Sequence, residues 1–335
     1  MESYKRIIHE VATKTSIQNE DIFDYEHSPL KDEFDTTFEF YYEALLNNAH
    51  YGIEPSLLFF KNDTSINAAA GLNNGHYIIY IHMGTILGLI NRFKQKSDLL
   101  NNCDVDDYIE FENSLDIPIN ELMYQNAMHY TFYHEMAHLI QKSDLLEQTL
   151  YESSNNENDF SIKKHLLELD ADQFSSLCIG AHTLQYVKKI WGTELTNEQL
   201  EKTLILICSS ALFYILSFET NKLEIYYKEN SHPHPVIRIT CIVFHIVGYV
   251  SQALDKEGYN IELNIKNIVN KCLDFSNKLA VKKFDVNLIE DYKVIIGREA
   301  INITEYLKEM RELEEKDMTL AAYKWNIIAE QMNTK

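Results

Sequence analysis

At 335 residues with 45% hydrophobic side chains, the chain can bury a substantial core, so one compact unit or a catalytic unit with helical extensions is expected. A formal charge of −21 at pH 7 argues against a protein that tracks nucleic-acid phosphates, which needs a basic stripe, and favours basic or neutral protein substrates. The five cysteines, Cys103, Cys178, Cys208, Cys241 and Cys272, form no CxxC pair, and this odd, unclustered set points to reduced thiols inside a cell rather than to a disulfide framework or a second zinc site.

The chain has only ten glycines and five prolines, and its long periodic segments predict a mainly helical architecture with a small β-hairpin, an α+β fold. Residues 1–55 carry no catalytic pattern. Phe38 to Leu46 places aromatic residues at helical spacing, as a core stripe does. The opening Met1 to Arg6 lacks the apolar core of a secretory signal, so a cytoplasmic protein is expected. Ile66-Asn67-Ala68-Ala69-Ala70 and Tyr77 to Gly84 then flank Asn73-Asn74-Gly75, residues that tolerate the positive φ of a tight hairpin turn. Tyr77 to Ile81 is rich in aromatic and β-branched residues and suits a strand. If the strand from Tyr77 to His82 is a sheet edge, its free N–H and C=O groups can pair with an extended protein or peptide substrate. Without that role, the hairpin simply covers a neighbouring helix. A polar, acidic break follows from Asn101 to Asp116.

Pro118 opens the next helix, whose apolar surface from Ile119 to Ile140 carries His134-Glu135-Met136-Ala137-His138. Histidines four apart project from one helix face, so both imidazoles can reach one metal ion, and Glu135 stands beside the open coordination position as a base. Zn2+ suits such a set. The polar stretch from Ser153 to Asp159 reads as a loop, either a lid or a plain surface connection. Beyond it, Ile162, Leu166, Leu169, Phe174 and Leu177 predict another helix, on which Glu168 and Asp172 share a face. One carboxylate can bind the metal while the other accepts a hydrogen bond from a ligand histidine and fixes its tautomer. Glu168 is the preferred third ligand, because two histidines and a glutamate leave the fourth position to water. His165 is the competitor, and an acidic solvated helix face is the plain alternative.

Leu204 to Phe218 is the longest apolar run. Thr196 with Gln199 forms a capping box before it, and Ser209, Ser210 and Glu219 interrupt or end it, so it is expected to be a core helix and not a membrane span. Val236 to Leu254 is also apolar but carries Arg238 and His245. Prolines 233 and 235 fit a loop entering a helix start. There His232 can stabilise an oxyanion, occupy the fourth metal position at rest, or be an ordinary loop residue, as His234 is expected to be. Arg238 can pair with Asp172 or near Glu168 and brace the ligand helix. Residues 255–335 carry no catalytic pattern. Ile301 to Gln331 reads as an amphipathic helical pair that covers the core or binds a regulatory partner.

These segments together resemble the gluzincin metallopeptidases. The similarity is to the branch that holds the CAAX-prenyl proteases and their bacterial heat-shock relatives, in which an HExxH helix precedes one bearing Glu-x-x-Ala-Asp. Asn67-Ala68-Ala69-Ala70 through Gly84 is similar to that branch's hairpin, and His232-Pro233 through Arg238-Ile239 to its later His-Pro helix start. The resemblance covers about residues 66 to 240. It implies a zincin-like catalytic core, set at residues 56–254, with helical extensions at 1–55 and 255–335. It also implies Zn2+ held by His134, His138 and Glu168, with Glu135, His232, Asp172 and Arg238 as catalytic or supporting residues. The clear membrane helices of the membrane-embedded members are missing. Phage-exclusion peptidases of the Lit type are the nearest functional analogue. The expected activity is intracellular peptide hydrolysis, in a toxin or phage-defence protease if an activating partner is needed. The alternative is a non-enzymatic zinc-stabilised binding module, for which Glu135 would be dispensable.

Overall fold

The computed structural model describes residues 4–142, 161–216, 224–284, 288–314 and 320–325. The loop expected at Ser153 to Asp159, and the end of the expected C-terminal helical pair, lie outside them. The described chain is mainly helical with one small mixed sheet, and it divides into two compact units, each assembled from separate stretches.

The first unit takes residues 1–88, 131–158 and 318–335. Helices α1 (Tyr4–Lys14) and α2 (Lys31–Asn47) accompany strands β1 (Ser56–Lys61), β2 (Ala68–Asn73) and β3 (His76–His82), then α3 (Met83–Leu89). Tyr4, Tyr25, Phe34, Phe38 and Phe60 form a buried aromatic cluster. The Tyr4 hydroxyl donates to the Phe23 carbonyl and accepts from the Phe60 amide, which pins α1 to β1. β2 and β3 pair antiparallel around a turn in which Asn74 and Gly75 both have positive φ, 47° and 76°, the hairpin geometry expected of Asn-Gly.

The sheet order is β1-β3-β2, with β1 parallel to β3. This corrects the expectation that Tyr77 to His82 is an edge: β3 is the central strand, its backbone groups engaged on both sides. β1 reads Ser-Leu-Leu-Phe-Phe-Lys and is buried along nearly its whole length, so it lacks the alternation that marks a half-exposed strand. β2 is the outer strand of the hairpin.

Gly84 sits where α3 meets the β1–β2 connection. A Cβ built there would fall 2.1 Å from the Thr64 carbonyl oxygen and 2.6 Å from that of Ser65, while the Gly84 amide donates to the Asp63 carbonyl. Backbone cannot yield as a flexible side chain does. Gly84→Ala is therefore expected to cost about 3 kcal/mol, read as a lowered midpoint in urea with an unchanged slope; a loss under about 0.5 kcal/mol would show that this approach is not tight.

The second unit takes residues 89–130 and 159–317. It contains α4 (Asp106–Glu112) and the long helices α6 (Ile162–Trp191), α7 (Asn197–Ile215), α8 (Pro235–Lys256), α9 (Ile265–Leu279) and α10 (Leu288–Glu314). α5 (Ile119–Lys142) begins in this unit and ends in the first. The Thr196–Gln199 capping box forms, and α7 is buried continuously from Thr203 to Ile215, as a core helix is. Asn126 of α5 donates to the Ile207 carbonyl of α7. Among the described residues, α8 alone is long and apolar enough to cross a membrane. It packs one face, Val236, Ile239, Val243, Ile246, Val250 and Leu254, into the unit, while Phe244 is exposed.

Candidate metal centre

α5 starts after Pro118, whose carbonyl accepts from the Leu122 amide, while the Glu112 carboxylate accepts from the Ile119 amide. The first is the opening intrahelical bond of α5, and the second satisfies a first-turn donor that lacks an intrahelical partner. The helix then presents His134 and His138 one turn apart, with their Nε2 atoms 3.2 Å apart. Two ligands of a tetrahedral zinc, each about 2.1 Å from the ion, stand roughly 3.4 Å apart. The two imidazoles therefore have the separation of neighbours on one ion. His138 Nδ1 lies 2.9 Å from Gln141 Oε1. With Nδ1–H donating to that amide oxygen, Nε2 is left as the ligand atom.

The ligand atoms of His134, His138 and Glu168 all lie within 4.8 Å of one another, which is a group able to hold a metal ion. His134 is buried, and His138 and Glu168 are half-buried. α6 supplies Glu168 from its second turn, after Ser161 caps the helix by accepting from the Lys164 amide. Two imidazole nitrogens and one carboxylate form a donor set that fits Zn2+.

Around Glu168 stand the two basic groups of the later helix start. His232 Nε2 is 3.5 Å from Glu168 Oε1, on a side chain that is 56% exposed. Arg238 Nη2 is 3.7 Å from Glu168 Oε2. Arg238 is bound more closely to Asp172: Nε donates to Oδ2 and Nη2 to Oδ1, each at 2.8 Å. Tyr130 of α5 completes this group, its hydroxyl donating to Asp172 Oδ1 and accepting from Arg238 Nη2. Asp172 is fully buried and the Arg238 side chain nearly so. Burial by itself would lower the guanidinium pKa, but Asp172, Tyr130 and Glu168 together outweigh it and hold Arg238 well above the ordinary arginine value. Burial pushes the Tyr130 phenol up strongly. Asp172, expected to orient a ligand histidine, is thus placed against Arg238 and Tyr130.

Glu135 is 8% exposed, on the turn that carries the ligand histidines. In the same unit, Tyr80 of β3 has a phenol pKa raised first by burial and then by the Glu135 carboxylate. The sheet therefore runs within electrostatic reach of the expected base.

His165, the competing ligand, is engaged elsewhere. It is fully buried, with Nε2 2.7 Å from the Asn230 carbonyl oxygen and Nδ1 2.5 Å from the Tyr306 hydroxyl. Burial lowers its pKa, and in the neutral ring Nε2–H donates to Asn230 while Nδ1 accepts from Tyr306. His234 caps α8, its Nδ1 accepting from the Val236 amide. Sequence reasoning missed Gln141 and Tyr130. Gln141 follows His138 by three residues on a helix, a spacing that puts the two side chains on one face; Tyr130 gave no signal beyond that of a core aromatic.

Comparison of the chain with protein-family models, with curated proteins and with solved structures gives no match.

Proposed function

We propose that the chain is a zinc-dependent endopeptidase with a zincin-like core of the gluzincin kind. The reading rests on one observation: His134, His138 and Glu168 bring their ligand atoms within 4.8 Å of one another, with Glu135 adjacent in sequence to the first of them. When bound, Zn2+ supplies Lewis acidity that activates a water and polarises a peptide carbonyl. Glu135 takes the proton of the attacking water and delivers it to the leaving amine. His232, exposed beside Glu168, donates to the oxyanion that forms at the carbonyl. Asp172, Arg238 and Tyr130 hold α6 so that Glu168 keeps its place.

The acidic surface favours substrates that are basic or neutral around the scissile bond. The five cysteines are free and four of them are buried, which agrees with the reducing cytoplasm where we place the protein. A protease of this kind is harmless to its own cell only if its substrate is narrow or its activity is triggered. We therefore propose a regulated toxin or phage-defence protease with an activating partner.

Metal analysis of the purified chain, beside cleavage of a cell extract with and without a chelator, tests the assignment. About one zinc per chain is expected, with metal affinity reduced more than about 100-fold in Glu168→Ala and proteolysis abolished by chelation. A protein that binds no zinc would end the peptidase reading. Zinc that is kept after Glu168→Ala would remove Glu168 from the ligand set.

A further inference from the structure

His232 is carried by residues 224–234, a stretch without regular secondary structure that leads into α8. Its backbone is tied down on both sides of the exposed histidine. On the far side, His234 is buried as the α8 cap, its ring packed against Tyr226 with centroids 4.8 Å apart. On the near side, the Asn230 carbonyl, two residues before His232, is held by His165 of α6. His165 lies one turn before Glu168 on the same helix. Its other nitrogen accepts from Tyr306 of α10, whose ring also packs on Tyr227 at 5.6 Å. The Lys228 ammonium reaches Glu309 of α10 at 2.7 Å, an exposed pair that adds little by itself. The buried imidazole joins this strap, the ligand helix and α10.

We propose that His165 is a positioning residue: by donating to Asn230 and accepting from Tyr306, it fixes the 224–234 strap to the helix of Glu168 and so sets the place of His232 beside that carboxylate. The proposal rests on the peptidase reading for its catalytic consequence. A ring with both nitrogens engaged has no freedom to rotate without leaving a buried polar group unpaired. The strap is therefore registered to α6 at a point one helical turn from the ligand. Misplacing a catalytic group by about 1 Å can cost on the order of 100-fold in rate, so the tie need not touch substrate to matter.

The test combines amide hydrogen exchange with kinetics on the full chain. In His165→Leu, exchange at residues 226–231 is expected to rise at least about tenfold, and kcat to fall about 30-fold with KM held within about twofold. His165→Gln, whose amide can both donate and accept, should restore most of each. Tyr306→Phe, which keeps the ring and removes one hydroxyl, should give a smaller change in the same direction. In a His232→Ala background, His165→Leu should cost less than about threefold more, because the group that it positions is gone. Unchanged exchange in His165→Leu would overturn the tie. The same 30-fold loss with and without His232 would overturn the positioning role and make His165 merely structural. If the parent chain binds no zinc, the peptidase reading fails, and the exchange data alone then decide whether His165 holds the strap.

Discussion

Glu135→Gln is expected to lower the rate of peptide hydrolysis by on the order of 1,000-fold while leaving zinc bound, equivalent to about 4 kcal/mol of transition-state stabilisation. Glutamine matches glutamate in volume and can sit in the same nearly buried position on α5, so the helix and its two ligand histidines need not move. What is lost is the ability to accept a proton. The side chain leaves metal binding alone in this scheme, since His134, His138 and Glu168 supply the ligand atoms. Metal content and the thermal midpoint should therefore match the parent, and the deficit should appear in kcat more than in KM. A Glu135→Gln protein that keeps more than about one tenth of the parent rate would assign the base elsewhere. Loss of zinc along with activity would mean that Glu135 supports the metal centre, as in a zinc-stabilised binding module.

The parts of this site that could be read in the sequence are those set by local geometry. His134 and His138, four apart on a helix, must share a face, and so must Glu168 and Asp172. The Asn74-Gly75 turn and the Thr196–Gln199 capping box follow in the same way from what short segments of backbone require. What could not be read depends on pairings between distant residues. β1 joins β3 across a register of Ser56 with Tyr77 and Lys61 with His82, and nothing local to Tyr77–His82 reveals that its other side is occupied. His165 had the right residue type and spacing for a ligand, and only Asn230 and Tyr306, 65 and 141 residues away, show that its nitrogens are committed. The Asp172 carboxylate raises the same difficulty. Its position on the helix face was legible, but its strongest neighbour, Arg238, lies 66 residues further on, and Tyr130 is indistinguishable in sequence from a packing aromatic.

That buried group is where substitution should cost most in stability. Arg238→Met is expected to destabilise the protein by about 3–5 kcal/mol, because it leaves the Asp172 carboxylate, fully buried, without the guanidinium that binds both its oxygens. The Tyr130 hydroxyl remains as a donor, but one neutral donor does not replace two charge-assisted bonds. The loss should shrink as the pH is lowered, since protonating Asp172 removes the buried charge that the variant cannot compensate. Asp172→Leu alone is the converse case, a buried cation deprived of its closest carboxylate, with Glu168 at 3.7 Å drawn toward it and away from the metal. The double variant Arg238→Met with Asp172→Leu removes both charges and should recover most of the stability, so the two losses should fall well short of additive. It should not recover the metal site, because Glu168 then has neither Arg238 beside it nor the tie between α6 and α8 that Arg238 and Asp172 provide. Urea unfolding of the four proteins and their zinc affinities separate the two effects. An Arg238→Met loss below about 1 kcal/mol, or fully additive single losses, would show that the pair carries little of the fold.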